Sequence, residues 1–206
     1  MRLAVVITIL VLCGVGCRNT VSLVDPPPEQ WAVRLEGKGF ENFIVFKQAE
    51  GFYRGAQADA QQFKALHDLL GIRTVINVRR TRTSEKIVET LGMNYVLIPI
   101  AAWSLEEEHA VEFLKIMKDP ANHPVFLYCH FGGDRSNALA AIYRMAVQGW
   151  CSDEAIREMT EGGNYFHPIW QNLIRTVRDI DIERVRALAG LHGIPPQSCS
   201  CQACAS

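Results

Sequence analysis

From Trp31 onward the chain switches between short apolar runs and stretches whose apolar residues recur every three or four positions. The short runs predict strands and the longer period predicts helices. Residues 33–35 and 43–46 read as strands around the Gly37-Lys38-Gly39 turn, followed by a strand over 52–54. Phe63, Leu66 and Leu70 predict a helix over 58–70 that stops at Gly71. A β-branched strand over 72–78, a helix over 83–91 with Gly92 behind it, and a strand over 95–100 come next. Ser104 and Glu107 have capping-box spacing and predict a helix running to Met117. After the segment 124–149, treated below, residues 152–160, 168–177 and 182–189 read as helices. Strands alternating with helices imply an α/β fold: one domain with a mostly parallel central sheet of four or five strands flanked by helices. The active site of such a sheet lies at the carboxyl ends of its strands. No internal repeat and no second domain are visible.

The stretch PVFLYCHFGGDRSNALAAIYR, residues 124–144, carries the chemistry. Residues 124–128 form a short apolar run bounded by turn residues, as expected of a buried parallel strand. Residues 129–134 form a glycine-containing loop, and Arg135 and Ser136 open an Ala-rich helix. Leu139, Ile142, Tyr143 and Ala146 lie on one face of that helix, and Gly149 stops it. A strand, loop and helix N-terminus in this order make an anion cradle, with backbone N–H groups pointing inward and the helix dipole adding positive potential. Such a cradle stabilises a thiolate as it would a phosphate, which points to Cys129 as a nucleophile. Arg135 adds a planar fork able to hold two phosphoryl oxygens. A cation at a helix N-terminus is unfavourable unless an anion joins it, so its position favours a binding role.

The pattern Cys129-x5-Arg135-Ser136, with Gly132 midway, resembles the signature loop of the cysteine-dependent protein tyrosine and dual-specificity phosphatases. Phe52 to Gln57 (FYRGAQ), Gly71 to Arg79 (GIRTVINVR) and Tyr143 to Trp150 (YRMAVQGW) are similar to the bacterial dual-specificity-phosphatase-like branch, so the resemblance spans about Phe43 to Leu173. It implies a phosphatase-like fold and hydrolysis of phosphomonoesters through a cysteinyl-phosphate. Cys129 is then the nucleophile, Arg135 the oxyanion clamp, and Ser136 the hydroxyl that helps the thiolate leave. His130, Phe131, Gly132, Gly133, Asp134, Arg135 and Arg79 become the substrate-binding set; His130 and Phe131 shape the mouth, and Arg79 is a residue that widens the anion pocket or simply lies in a solvated loop with Arg80 and Arg82. No cofactor and no metal are implied.

The chain departs from the family pattern in three places. Family members carry an aspartate about thirty residues before the cysteine, as the acid that protonates the leaving oxygen. Here that region reads LIPIAAWSLEEEHA, offering Glu106, Glu107 and Glu108. Asp134, inside the loop, is the other choice and the one favoured for the acid. Tyr128 stands where the family has His, and Asn137 where it has Gly.

Composition bounds the partners. The net charge is −1 and 49% of the 206 residues are hydrophobic, an ordinary globular balance with no nucleic-acid footprint. The N-terminus has a basic start at Arg2, an apolar run too short to span a bilayer, and small residues before Cys17. This resembles a bacterial lipobox with Gly14 where Leu is usual; an ordinary cleaved secretory signal is the alternative. The expected organisation is a signal peptide over 1–16, a lipidated Cys17 with a Pro-rich tether to residue 30, a phosphatase-like domain over 31–192 and a cysteine-containing tail over 193–206. The enzyme is then exported and lipid-anchored to a bacterial membrane, facing the periplasm or exterior. Cys199, Cys201 and Cys204 suggest disulfides or intermolecular links, and Cys151 is the first partner to consider for oxidative pairing with Cys129.

The substrate class is a phosphorylated molecule: a phosphoprotein, a phosphorylated small molecule or a lipid head group. Two other functions fit parts of the pattern. A rhodanese-like sulfurtransferase also uses a cysteine loop, typically one residue shorter. A non-catalytic phosphate-binding module would account for Tyr128 and the missing upstream aspartate.

Overall fold

The computed structural model describes residues 29–35, 39–46, 49, 51–163 and 165–194; the signal segment, Cys17, the proline tether and the tail cysteines lie outside them. Strands β1 (Val33–Leu35), β2 (Phe43–Val45) and β3 (Phe52–Gly55) precede helix α1 (Ala60–Leu70). Then follow β4 (Thr74–Asn77), α2 (Glu85–Thr90), β5 (Asn94–Leu97), α3 (Glu107–Met117), β6 (Val125–Tyr128) and α4 (Arg135–Gln148). Helices α5 (Ser152–Glu161), α6 (Gln171–Asp179) and α7 (Ile182–Ala189) complete the fold. The sheet has six strands in the order β1-β2-β3-β6-β4-β5, not the four or five expected. The four strands β3, β6, β4 and β5 are mutually parallel, and β1 and β2 extend the β3 edge as an antiparallel meander.

Strand β6 is central because its side chains are apolar on both faces and it is covered on both. Val125 and Leu127 face one core cluster with Leu114, Leu139 and Ile142 from α3 and α4. Phe126 and Tyr128 face the other, with Phe63, Leu66 and Val88 from α1 and α2. This alternation decides where the next residue goes: Cys129 falls on the α4 side, away from Tyr128. Helix α3 begins two residues later than the Ser104–Glu107 pattern implies. Glu106 is its N-cap: its backbone N–H donates to His109 Nδ1 at 3.0 Å, and its carboxylate accepts from Ser104 Oγ at 2.6 Å.

One buried ion pair ties the start of the domain to the helical side. Arg144, fully buried in α4, donates from Nε and Nη2 to Glu158 of α5 at 2.8 and 2.5 Å. Its guanidinium lies over the Phe46 and Trp150 rings, and its Nη2 also reaches the Gln30 carbonyl at 3.2 Å. Glu158 accepts in turn from the Ala32 N–H at 2.6 Å. Glu158→Ala strands a buried guanidinium, so unfolding free energy should fall by about 3–5 kcal/mol. A urea titration would read this as a lower midpoint at unchanged slope; an unchanged midpoint would refute the role given to the pair.

Candidate active site

The carboxyl ends of β3, β4 and β6 meet at one edge of the sheet, and the loop 129–134 sits over it. The four carbonyls of residues 130–133 each have a donor outside the loop. His130 O accepts from the Gln57 N–H at 3.3 Å, and Phe131 O from Asn42 Nδ2 at 3.2 Å. Gly132 O accepts from Arg54 Nη1, and Gly133 O from Asn137 Nδ2. A trans peptide points its N–H opposite to its carbonyl, so turning these carbonyls outward turns the N–H groups of Phe131, Gly132, Gly133 and Asp134 into the concavity. That is an anion nest. Gly132 is indispensable to it: at φ +67°, an added Cβ would lie 2.3 Å from Gly55 C and 2.5 Å from Ala56 N.

Cys129 lies at the floor of the nest as a buried free thiol, its Sγ 3.4 Å from Ser136 Oγ. Arg135 opens α4, and its Nη1 donates to the Ile100 carbonyl at 3.2 Å, while its buried Nε has no protein partner. The Arg135 guanidinium therefore reaches from α4 to the β5–α3 loop. Cys151 is itself disulfide-bonded, and Cys129 is a free thiol.

The remaining sequence candidates fall as follows. His130 and Phe131 are exposed with their ring centroids 4.3 Å apart. Phe131 lines two cavities, one of about 580 Å³ with His167 and Tyr165, the other of about 750 Å³ with His130, Arg79 and Gln57. Arg79 reaches Gln57 Oε1 and lines the second cavity. Arg82 pairs with Glu85 instead. Glu106 is engaged at the start of α3, and Glu107 is turned to Arg184 of α7 at 2.9 Å. Asp134 is buried: its Oδ1 accepts from the His167 N–H at 2.9 Å, and both oxygens lie 3.0 Å from His167 Nδ1. Among the described residues, no group of three or more His, Cys, Asp or Glu could hold a metal ion.

Sequence reading missed four supports. Asn42 holds a left-handed backbone at φ 49° and directs its amide to the loop. Asn137, counted as a departure, is buried and braces the loop from inside α4, also reaching Met159 O at 3.3 Å. His167 holds Asp134. Arg54 is the most consequential. It is fully buried on β3, where burial draws its pKa down to about 10 and negative charge on Cys129 pushes it back up. The guanidinium is still charged at neutral pH, and its Nη1 holds the Gly132 carbonyl turned away from the nest. Tyr128 does not face the sulfur. Its hydroxyl lies among Ser84, Tyr95 and Thr83, with burial raising its pKa well above the phenol range.

An arginine-closed nest over a cysteine, at the carboxyl edge of a parallel sheet, is the architecture of the cysteine-dependent phosphatases. A family model described as "DSP-PTPase phosphatase fused to NAD+ Kinase" matches residues 30–171, and the chain belongs to that family and is a cysteine-dependent phosphatase. It is 25% identical over 172 residues to the dual specificity protein phosphatase TpbA of Pseudomonas aeruginosa, covering 83% of this chain and 76% of the relative. The crystal structure of P. aeruginosa TpbA with phosphotyrosine superposes with TM-score 0.69 at 23% identity, covering 82% of this chain and 100% of the other. The catalytic core of the PP-IP phosphatase Siw14 from S. cerevisiae gives TM-score 0.59 at 18% identity, covering 75% and 96%. The sulfurtransferase and binding-module alternatives are not favoured.

Arg54→Met should leave the Gly132 carbonyl without its donor and the sulfur without its cation. Leaving a buried acceptor unsatisfied costs about 1–3 kcal/mol. The midpoint of urea unfolding should therefore fall at unchanged slope in this variant. An unmoved midpoint would remove Arg54 as a support of the nest.

Proposed function

We propose that the enzyme hydrolyses phosphomonoesters of protein side chains, phosphotyrosine foremost, through a cysteinyl-phosphate. The observation that carries this is the position of the Cys129 sulfur beneath an inward ring of amides, with the Ser136 hydroxyl 3.4 Å away. The Cys129 thiolate attacks phosphorus in line, forming an S–P bond as the P–O bond to the leaving group breaks. The nest amides and the Arg135 guanidinium hold the equatorial oxygens, whose charge is best stabilised by donors fixed in advance. Ser136 donates to the sulfur as it departs, and water then cleaves the S–P bond. The proton for the leaving oxygen comes from the Asp134 corner, because Glu106 is committed to the start of α3.

An aryl phosphate is supported by the mouth, where His130, Phe131 and His167 present rings, and by the phosphotyrosine bound to TpbA in its crystal structure. Cys129→Ser should abolish turnover of p-nitrophenyl phosphate while keeping vanadate binding within about twofold, since the nest amides are untouched. Turnover persisting in the variant would exclude Cys129 as nucleophile, and vanadate binding without turnover in wild type would mark a binding module.

The proposal extends to location. A basic start, a short apolar run and small residues ahead of Cys17 support export and a lipid anchor on that cysteine. Cys17→Ser should move the full chain from the membrane fraction to the soluble exported fraction; unchanged fractionation would argue against the anchor.

A further inference from the structure

The Asp134 carboxylate does not present a free oxygen to a substrate. It is buried, and His167 takes both of its oxygens from the α5–α6 loop: the backbone N–H reaches Oδ1 at 2.9 Å, and Nδ1 lies 3.0 Å from Oδ1 and Oδ2. A carboxylate in that position keeps Nδ1 as the N–H donor and fixes the plane of the ring. The other ring nitrogen is left over. The His167 side chain is 50% exposed, against 10% for Asp134. Its ring lies 5.9 Å from the Phe131 ring, and both line the 580 Å³ cavity at the mouth. No hydrogen bond involves His167 Nε2 among the described residues.

We propose that His167 is the proton donor to the leaving oxygen and that Asp134 is the positioning residue that orients it. In the first step the imidazolium releases its Nε2 proton to the leaving oxygen as the sulfur–phosphorus bond forms and the phosphorus–oxygen bond breaks. In the second step the neutral ring takes a proton from the attacking water as the S–P bond breaks, which restores both the imidazolium and the Cys129 thiolate. This division of labour needs no aspartate on the β5–α3 loop, where the sequence has none. It rests on the cysteinyl-phosphate reading above.

The test separates proton donation from bracing. In His167→Asn the side-chain amide stands near the place of Nδ1 and can still donate to Asp134, but no group replaces Nε2. The readout is kcat/KM, which reports steps through cleavage of the P–O bond, for two esters. Phenyl phosphate has a leaving group that needs a proton, and dinitrophenyl phosphate has one that does not. Loss of a general acid should lower kcat/KM about 100-fold for phenyl phosphate and no more than about fivefold for dinitrophenyl phosphate. Added imidazole should restore phenyl phosphate turnover in His167→Ala. An equal fall for both esters, or none for either, would overturn the assignment and leave His167 as a brace. Selective loss in Asp134→Asn but not in His167→Asn would also overturn it, returning the proton to the carboxylate. Wild-type enzyme that hydrolyses neither ester would instead sink the phosphatase reading on which the assignment rests.

Discussion

Everything the site can do depends on four peptide groups being turned the unfavourable way round. A loop left to itself would have no reason to converge its N–H groups on one point, since their partial charges repel. Here the reversal is fixed by donors on the outside: a backbone amide just past β3, two asparagine side chains and a buried arginine take the carbonyls of residues 130–133. The nest is therefore formed before any phosphate arrives. Donors already oriented need not reorganise as charge develops, which is where electrostatic catalysis gains most.

These donors also explain how the chain tolerates its departures from the family pattern. Alternation along β6 sends Tyr128 into the cluster under α1, where it can act on the sulfur only through the backbone. A buried cation under the loop comes instead from the neighbouring strand: Arg54 stands opposite Leu127 in the parallel register, one pair from the loop. Burying a guanidinium is costly unless it is paired and hydrogen-bonded. Arg54 gains the Gly132 carbonyl by its Nη1 and a favourable field from Cys129 and Glu158, which offset part of that cost. Asn137 likewise replaces a glycine with a residue whose amide braces the loop from the first turn of α4.

How much of this was legible in the sequence follows from distance along the chain. Cys129, Gly132, Arg135 and Ser136 lie within one strand-loop-helix unit, where spacing alone fixes geometry. The helices were legible because their apolar faces repeat every three or four residues, and β6 because it is uniformly apolar. β1 and β2 were legible as strands, but their joining the central sheet was not, because the pairing of a short meander is set by turns and not by periodicity. Arg54 did leave a signal, a lone charge inside an otherwise strand-like FYRG run. Its meaning required knowing that β3 pairs with β6, more than seventy residues away. His167 left none: it sits in an irregular connection, and only tertiary structure brings it to Asp134.

That last juxtaposition bears on how proton delivery can change its address while the nest stays the same. The nest must be rigid, because its donors act on a transition state only when already in place. The acid is bound less tightly by geometry: it has to reach one oxygen on the open side of the phosphorus, and more than one surrounding loop can reach that point. In this fold the β5–α3 loop touches the site by giving the Ile100 carbonyl to Arg135, and α6 holds the same loop through Asn172, whose Nδ2 donates to Ala102 O at 2.8 Å. The α5–α6 connection stands opposite, with His167 on the loop's own carboxylate. A chain without an aspartate on the first loop can thus keep its chemistry if the second supplies a proton, because each loop is tied to the signature segment at its own residue, Arg135 for one and Asp134 for the other.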